Sequence, residues 1–310
     1  MEEKILEEKP EEKISITAEE VTDIRLTQAG YYWEAGYNEF DFLCKIEGVE
    51  DKIHMVQQRH DEGYGLVIRS EKDDIWNRIS GSEAFKLEEK LLDEVQYRTY
   101  HDRIEKLTSL SNCREMYYEL MENDNHNLRN VIGNLWMELR EKEDQLAVGV
   151  ISDFRNKTTE QFHAVDGMSA GEIEEMISYY VQAKIIENNL GAQVENVILS
   201  GRRCRGIEKF GSDLDVVVDY KGNIREDDFF NILHEDGFAI AGIAVDINPI
   251  TEDKTGLLAE YLESVEQYLK EKAQERKLEK SSVREKIKQA KQITQEKKKV
   301  NTEKSKNAER

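Results

Sequence analysis

Cysteine is scarce and scattered in this 310-residue chain: Cys44, Cys113 and Cys204 are too few and too far apart for a disulfide framework. None belongs to a Cys-x-x-Cys pair, which excludes a thiolate zinc site by spacing and suggests a reducing, cytoplasmic setting. Long apolar runs are missing too, with no stretch of about eighteen that would span a bilayer. The first residues, Met-Glu-Glu-Lys-Ile-Leu-Glu-Glu-Lys-Pro, are acidic where a signal peptide is basic and then apolar. An unanchored protein without a membrane partner is expected. His54, His60, His101 and His126 have no partner at ligand spacing, so the first half offers no readable catalytic or metal set.

Positive charge is in deficit, the formal net charge being -21. The shortage is uneven. Residues 270–310 carry 15 Lys and Arg against 7 Glu, whereas residues 1–269 carry 29 basic against 58 acidic side chains. An acidic body argues against duplex binding by the domains themselves, because phosphate contacts need Lys and Arg gathered on one face. Only the basic tail has the charge for a nucleic-acid contact. The apolar share of 38% is enough for packed cores in two modest domains.

Five segments follow from composition and periodicity. Residues 1–18 read as a flexible, acidic leader. Residues 19–142 read as a small α+β module: short apolar runs between Phe40 and Ser70, punctuated by Gly and Asp, predict a three-stranded antiparallel meander. Leu87, Leu91, Leu92 and Val95 then recur at helical spacing, with more helix at Cys113–Met121 and Leu128–Leu139. Trp33, Trp76 and Trp136 stand at apolar positions and are expected in the core. Residues 143–161 lack sustained periodicity and are expected to link two domains. Residues 162–269 form the second domain, also α+β, and residues 270–310 a helical or disordered basic tail lacking the apolar positions of a coiled coil.

The second domain carries the chemistry. Ser169-Ala-Gly-Glu172 has the form of a capping box opening a helix whose face includes Ile173, Met176, Ile177, Tyr180 and Lys184, with Gly191 as its stop. A strand over Val194–Ser200 then leads into Gly201-Arg-Arg-Cys-Arg-Gly206. Gly211-Ser-Asp-Leu-Asp-Val-Val-Val218 follows, and after a short helix at Asp227–His234 comes Ala244-Val-Asp-Ile-Asn-Pro249. Alternation along a strand puts Asp213 and Asp215 on one face and Leu214, Val216 and Val218 on the other. Asp246, between Val245 and Ile247, is placed to join them at a sheet edge. Three converging carboxylates repel one another unless a cation intervenes, and hard oxygen donors of this kind suit Mg²⁺ or Mn²⁺.

These residues resemble the minimal nucleotidyltransferases of the DNA polymerase β-like superfamily. The order and spacing match: an apolar strand at Val197–Leu199, a turn at Gly201, ten residues between Arg202 and Asp213, and a later third acid at Asp246. Residues 162–269 are similar, more narrowly, to such modules in large multidomain proteins of clostridial mobile elements. The resemblance implies a metal-dependent transfer of a nucleoside monophosphate from an NTP to a hydroxyl of a protein or nucleic acid. It assigns Asp213, Asp215 and Asp246 to metal binding and catalysis, and Gly201, Arg202, Arg203, Arg205 and Ser212 to the nucleotide. One departure stands out: Arg202 occupies the place of a serine that touches a nucleotide phosphate in the family. The alternative reading is therefore a catalytically inactive nucleotide- or partner-binding module of a mobile-element accessory protein.

Overall fold

The computed structural model describes residues 15–32, 34–60, 63–72, 74–123, 128–278 and 284–287. The leader before residue 15, Trp33, His126 and the tail residues 279–283 and 288–310 lie outside the described residues, as does the side chain of His60. The protein is mixed α+β and divides after Asp144 into two compact units.

The first unit holds a four-stranded antiparallel sheet in the order β1 (Val21–Tyr32), β2 (Tyr37–Ile46), β3 (Val49–His60), β4 (Gly63–Ser70). The meander expected from three runs thus has a fourth strand. β1 escaped the reading because only Val21 is fully buried and two register shifts, one beside Asp23 at φ 51°, break its alternation. β2 shows the period-2 signal in full, burying Phe40, Phe42, Cys44 and Ile46. Glu47 and Gly48, both at positive φ, close the β2–β3 hairpin in the two-residue form that suits strand twist. Ile53, Met55 and Ile68 complete the sheet's inner face, which packs on Ile75 of α1 (Ile75–Arg78) and on Leu87, Leu91 and Val95 of α2 (Gly81–Glu105). α3 (Leu110–Asn123) follows.

Several expectations need correction here. Ile16 and Ala18 are fully buried in this core, so the ordered chain starts inside the supposed leader. Trp76 is 51% exposed and does not belong to the core, and Trp136 is only partly buried. His54 and His101 each have one carboxylate partner, Asp41 at 2.7 Å across the β2–β3 register and Glu138 at 2.9 Å, which does not amount to a ligand set and leaves that expectation as it stood. Residues 143–161, which contain the boundary between the units, are helical throughout, the C-terminal part of a single helix, α4 (Ile132–Gln161). The helix was illegible because its buried stripe there consists of little more than Ile151, Phe154 and Thr158, and a threonine does not read as core. Its hydroxyl donates to the Phe154 carbonyl at 2.9 Å, which allows it to be buried.

The second unit is built on a mixed sheet, order β5 (Ala192–Leu199), β6 (Leu214–Gly222), β8 (Ile243–Ile250), β7 (Ala239–Ile240). β6 runs antiparallel to β5 and parallel to β8, and α6 (Glu226–His234) makes the crossover that parallel neighbours require. α5 (Ala170–Glu187) opens with the predicted capping box, Ser169 N–H donating to Glu172 at 2.8 Å. The helix stop differs from the expectation. Asn189 takes the left-handed conformation, φ 50°, just beyond the helix, and Gly191 does not. One core joins Ile173, Ile177 and Val181 of α5, Val216 and Val218 of β6, Ile247 of β8 and Phe229 and Leu233 of α6. Lys184, read as part of the apolar face, is indeed buried and is paired with Asp236. Leu258, Leu262 and Leu269 enter the same core from a helix over 258–278, here α7. That helix runs nine residues past the predicted domain end at Leu269. Among the described residues no helix is long and apolar enough to cross a membrane.

Candidate metal centre beside the Gly201 turn

Parallel pairing of β6 and β8 sets Asp215 directly opposite Asp246, and Asp213 lies just ahead of β6 on the same face. The three carboxylates each offer one oxygen, all within 4.8 Å of one another. They meet on the two inner strands of the sheet, not at a lateral edge as the sequence suggested, because β5 and β7 occupy the edges. Among the described residues this is the one cluster of acids, His or Cys arranged to hold a metal ion. Asp213 and Asp246 are exposed and Asp215 is half-buried. Burial, reinforced by the charges of Asp213 and Asp246, pushes the Asp215 carboxyl up to about 6. Burial is the larger cause and the two like charges add to it; a bound cation is the natural relief of the charge.

The Gly201 turn is built around Asp215. Ser200, buried at the end of β5, donates its amide to the Asp215 carbonyl at 2.8 Å. Gly201 follows with φ +67°, and a Cβ at that position would collide with the Asp215 carboxylate and lie 2.6 Å from its Cβ. Only glycine permits this approach. Gly201→Ala is therefore expected to lower stability by about 1–3 kcal/mol from the strained backbone alone and, in addition, to displace Asp215 and weaken Mn²⁺ binding. Gly211 has a comparable φ of +80° but open space around its Cβ position. Gly211→Ala should thus lower the urea midpoint while leaving Mn²⁺ affinity unchanged, and equal Mn²⁺ affinity in the two variants would contradict the role assigned to Gly201.

The three loop arginines part company in the structure. Arg202 remains at the site: its Nη2 donates to the Tyr268 hydroxyl on α7 at 3.2 Å, and its charge draws the Asp215 carboxyl downward against the larger opposing effects. Arg203 turns to the backbone. Its Nε and Nη2 donate to the Ser212 carbonyl at 3.0 and 2.7 Å, and Nε also reaches the Asp213 carbonyl at 2.9 Å, which braces the start of the acidic strand. Arg205 is withdrawn from the site altogether. It is buried against Glu266 of α7 at 2.8 Å and stacked 4.2 Å over the Phe154 ring, so it is not available to a nucleotide. A buried guanidinium needs a counter-charge, and Glu266 supplies it here. Ser212 Oγ accepts from the Lys209 amide at 3.0 Å and keeps its hydroxyl proton for another acceptor. Cys204 is a filler, its buried thiol donating to the Gly201 carbonyl and pushed up to about 12 by burial.

Two contributors were not read from the sequence. His234, at the end of α6, places Nε2 3.1 Å from Asp246 Oδ1. Tyr268 of α7 stands beside Arg202, with the Lys272 ammonium 5.6 Å from its ring centre. Neither signal is visible locally, since His234 reads as a helix terminus and Tyr268 as part of an apolar stripe. No protein family, no curated protein and no solved structure matches the chain.

Proposed function

We propose that the second unit is a divalent-cation-dependent nucleotidyltransferase of the DNA polymerase β-like kind, moving a nucleoside monophosphate from an NTP to a hydroxyl of a protein or nucleic acid. The observation that carries this reading is the β6/β8 register, which gathers Asp213, Asp215 and Asp246 beside a glycine turn that no other residue fits. The donor set suits Mg²⁺ or Mn²⁺: all ligands are carboxylate oxygens, and two of the three acids are exposed, leaving positions for water and substrate phosphate. When bound, such cations neutralise phosphate charge and make an acceptor hydroxyl easier to deprotonate.

The remaining chemistry falls to the chain's own groups. Asp213 and Asp215 would hold both cations, and Asp246 would ligand the one next to the acceptor hydroxyl, as the resemblance implies. The turn at Arg203–Arg205 is a 3-10 turn of three residues, so a helix dipole contributes little to phosphate binding. Phosphate recognition rests instead on the Arg202 guanidinium and the Ser212 hydroxyl. Arg202 thus replaces the family's serine contact with a charged one.

A second reading, a nucleotide- or partner-binding module without catalysis, is favoured by the same Arg202, whose hydrogen bond to Tyr268 closes the turn against α7. Pyrophosphate release separates the two. The parent protein, given each ribonucleoside triphosphate with Mg²⁺ or Mn²⁺ and cell lysate as acceptor, is expected to release pyrophosphate from at least one. The Asp213→Ala, Asp215→Ala double variant should stay at background. Background release by both proteins, with nucleotide still bound, would establish the binding module.

A further inference from the structure

We infer that His234 is a positioning residue for Asp246, holding one oxygen of that carboxylate so that the other is presented to the cation site. This rests on the metal-dependent reading of the Asp213, Asp215 and Asp246 cluster. The imidazole is fixed from two directions: Nδ1 donates to the Phe230 carbonyl one turn back in α6 at 2.8 Å, and the Phe230 ring stacks on it at 3.9 Å between centroids. In the ring that carries a proton on both nitrogens, Nε2 then donates to Asp246 Oδ1 at 3.1 Å, and the Ile247 amide, 3.2 Å from Nε2, is not a partner of that form. A ring held this firmly does not follow the carboxylate; the carboxylate follows the ring.

The need for such a device comes from topology. Asp215 is held by burial and by the turn at Gly201, which closes over its carboxylate. Asp246 has no such support: its side chain is 51% exposed on β8, where a free carboxylate rotates about χ1 and χ2 and swings away from two like charges. His234 comes from α6, the crossover between the strands that carry Asp215 and Asp246, so the connection that makes the two strands parallel also delivers the group that orients the third acid. Outer partners of this type are known to matter for metal affinity, typically by about 10–100-fold. Among the described residues His234 is not a member of the ligand cluster itself, whose oxygens lie within 4.8 Å of one another. Its part is exerted through Asp246.

The substitutions Gln and Asn divide the two ends of the ring between them. His234→Gln retains a polar group near the place of Nε2, facing Asp246, whereas His234→Asn retains one near Nδ1, facing the Phe230 carbonyl. Mn²⁺ binding to the full chain, followed by the electron paramagnetic resonance signal of free Mn²⁺, is the readout, with thermal melting of each metal-free variant alongside. His234→Ala and His234→Asn are expected to weaken Mn²⁺ binding about tenfold, and His234→Gln to stay within about threefold of the parent. Parent-like Mn²⁺ binding by His234→Ala, or rescue by Asn and not by Gln, would overturn the inference while leaving the metal centre standing. Failure of the parent itself to bind Mn²⁺ would instead remove the metal-dependent reading and this inference with it. If His234→Ala unfolds, the comparison of Gln with Asn decides alone.

Discussion

Asp215→Asn is expected to make the metal-free protein more stable and, at the same time, to destroy the proposed response to Mg²⁺ or Mn²⁺ and lower the proposed nucleotidyl transfer by about 10³-fold, equivalent to about 4 kcal/mol. The two halves of this outcome have one origin. Burial and two neighbouring carboxylates raise the folded-state value of Asp215 from the ordinary 3.8 to about 6. A carboxyl raised in this way contributes stability that is complete below its unfolded value and is lost as pH climbs through about 6. At pH 7.5 the metal-free fold therefore carries an unrelieved charge. The full shift of about two pH units corresponds to about 3 kcal/mol; solvent reaching the half-exposed group reduces this to about 1–2 kcal/mol. Asn keeps the shape and removes the charge. The variant should melt roughly 3–6 °C above the parent at pH 7.5 without metal, and the gap should close as pH falls toward 4. Adding Mn²⁺ at pH 7.5 should raise the parent's midpoint and leave the variant's unchanged. A variant less stable than the parent at pH 7.5, or one that still gains from Mn²⁺, would rule out a strained carboxylate cluster as the cation site.

Arg205→Ala is expected to cost about 3–5 kcal/mol, the range for removing one partner of a buried ion pair, without any effect specific to nucleotide binding. The guanidinium donates to Glu266 from Nε at 3.1 Å and from Nη2 at 2.8 Å, and Nη1 donates to Thr158 Oγ1 at 2.7 Å and to the Cys204 carbonyl at 3.0 Å. Its side chain is 7% exposed. It therefore ties three pieces together: the buried stripe of α4, the Gly201 turn and α7. Removing it leaves Glu266, 18% exposed, with only Lys157 at 3.3 Å for a partner. Burial pushes the Glu266 carboxyl up, but the hydrogen bonds and charge of Arg205, with a smaller share from Lys157, outweigh this and hold it below its ordinary 4.5. A lowered carboxyl contributes stability that is present above its unfolded value and lost as pH falls through the folded one. The parent should thus lose this share of its stability on acidification below about 4.5, and Arg205→Ala should not. Lysine lacks the planar fork and should restore little. Urea unfolding measures the loss directly; an intact midpoint with weakened nucleotide binding would return Arg205 to the nucleotide site.

The contrast between Arg202 and Arg205 shows how far the sequence reaches. Gly201, Asp213, Asp215 and Asp246 are legible because each announces itself locally: a glycine in a basic turn, two acids two apart in an apolar strand, a third acid between Val245 and Ile247. Period-2 alternation then brings Asp213 and Asp215 to one face before any tertiary contact is known. The same local rules yield the capping box at Ser169, the helices from α2 to the first part of α4, and strands β2 to β4 of the first sheet. They fail at β1, where bulges interrupt the alternation, and at residues 143–161, where a buried threonine hides the helical stripe.

What the sequence by itself determined is the α+β class, the order of elements in the second unit and the identity of the three acids. What only the tertiary structure decided is their company: the register that sets Asp246 opposite Asp215, the withdrawal of Arg205 to Glu266, the brace formed by Arg203, and the arrival of His234 and Tyr268 from other elements. The physical reason is separation along the chain. Periodicity and turn chemistry act over a few residues, whereas Arg205 and Glu266 are 61 positions apart and Arg202 and Tyr268 are 66. Which of three neighbouring arginines is buried in an ion pair and which is left facing the carboxylates depends on where α7 lands, and no local signal in the loop encodes that.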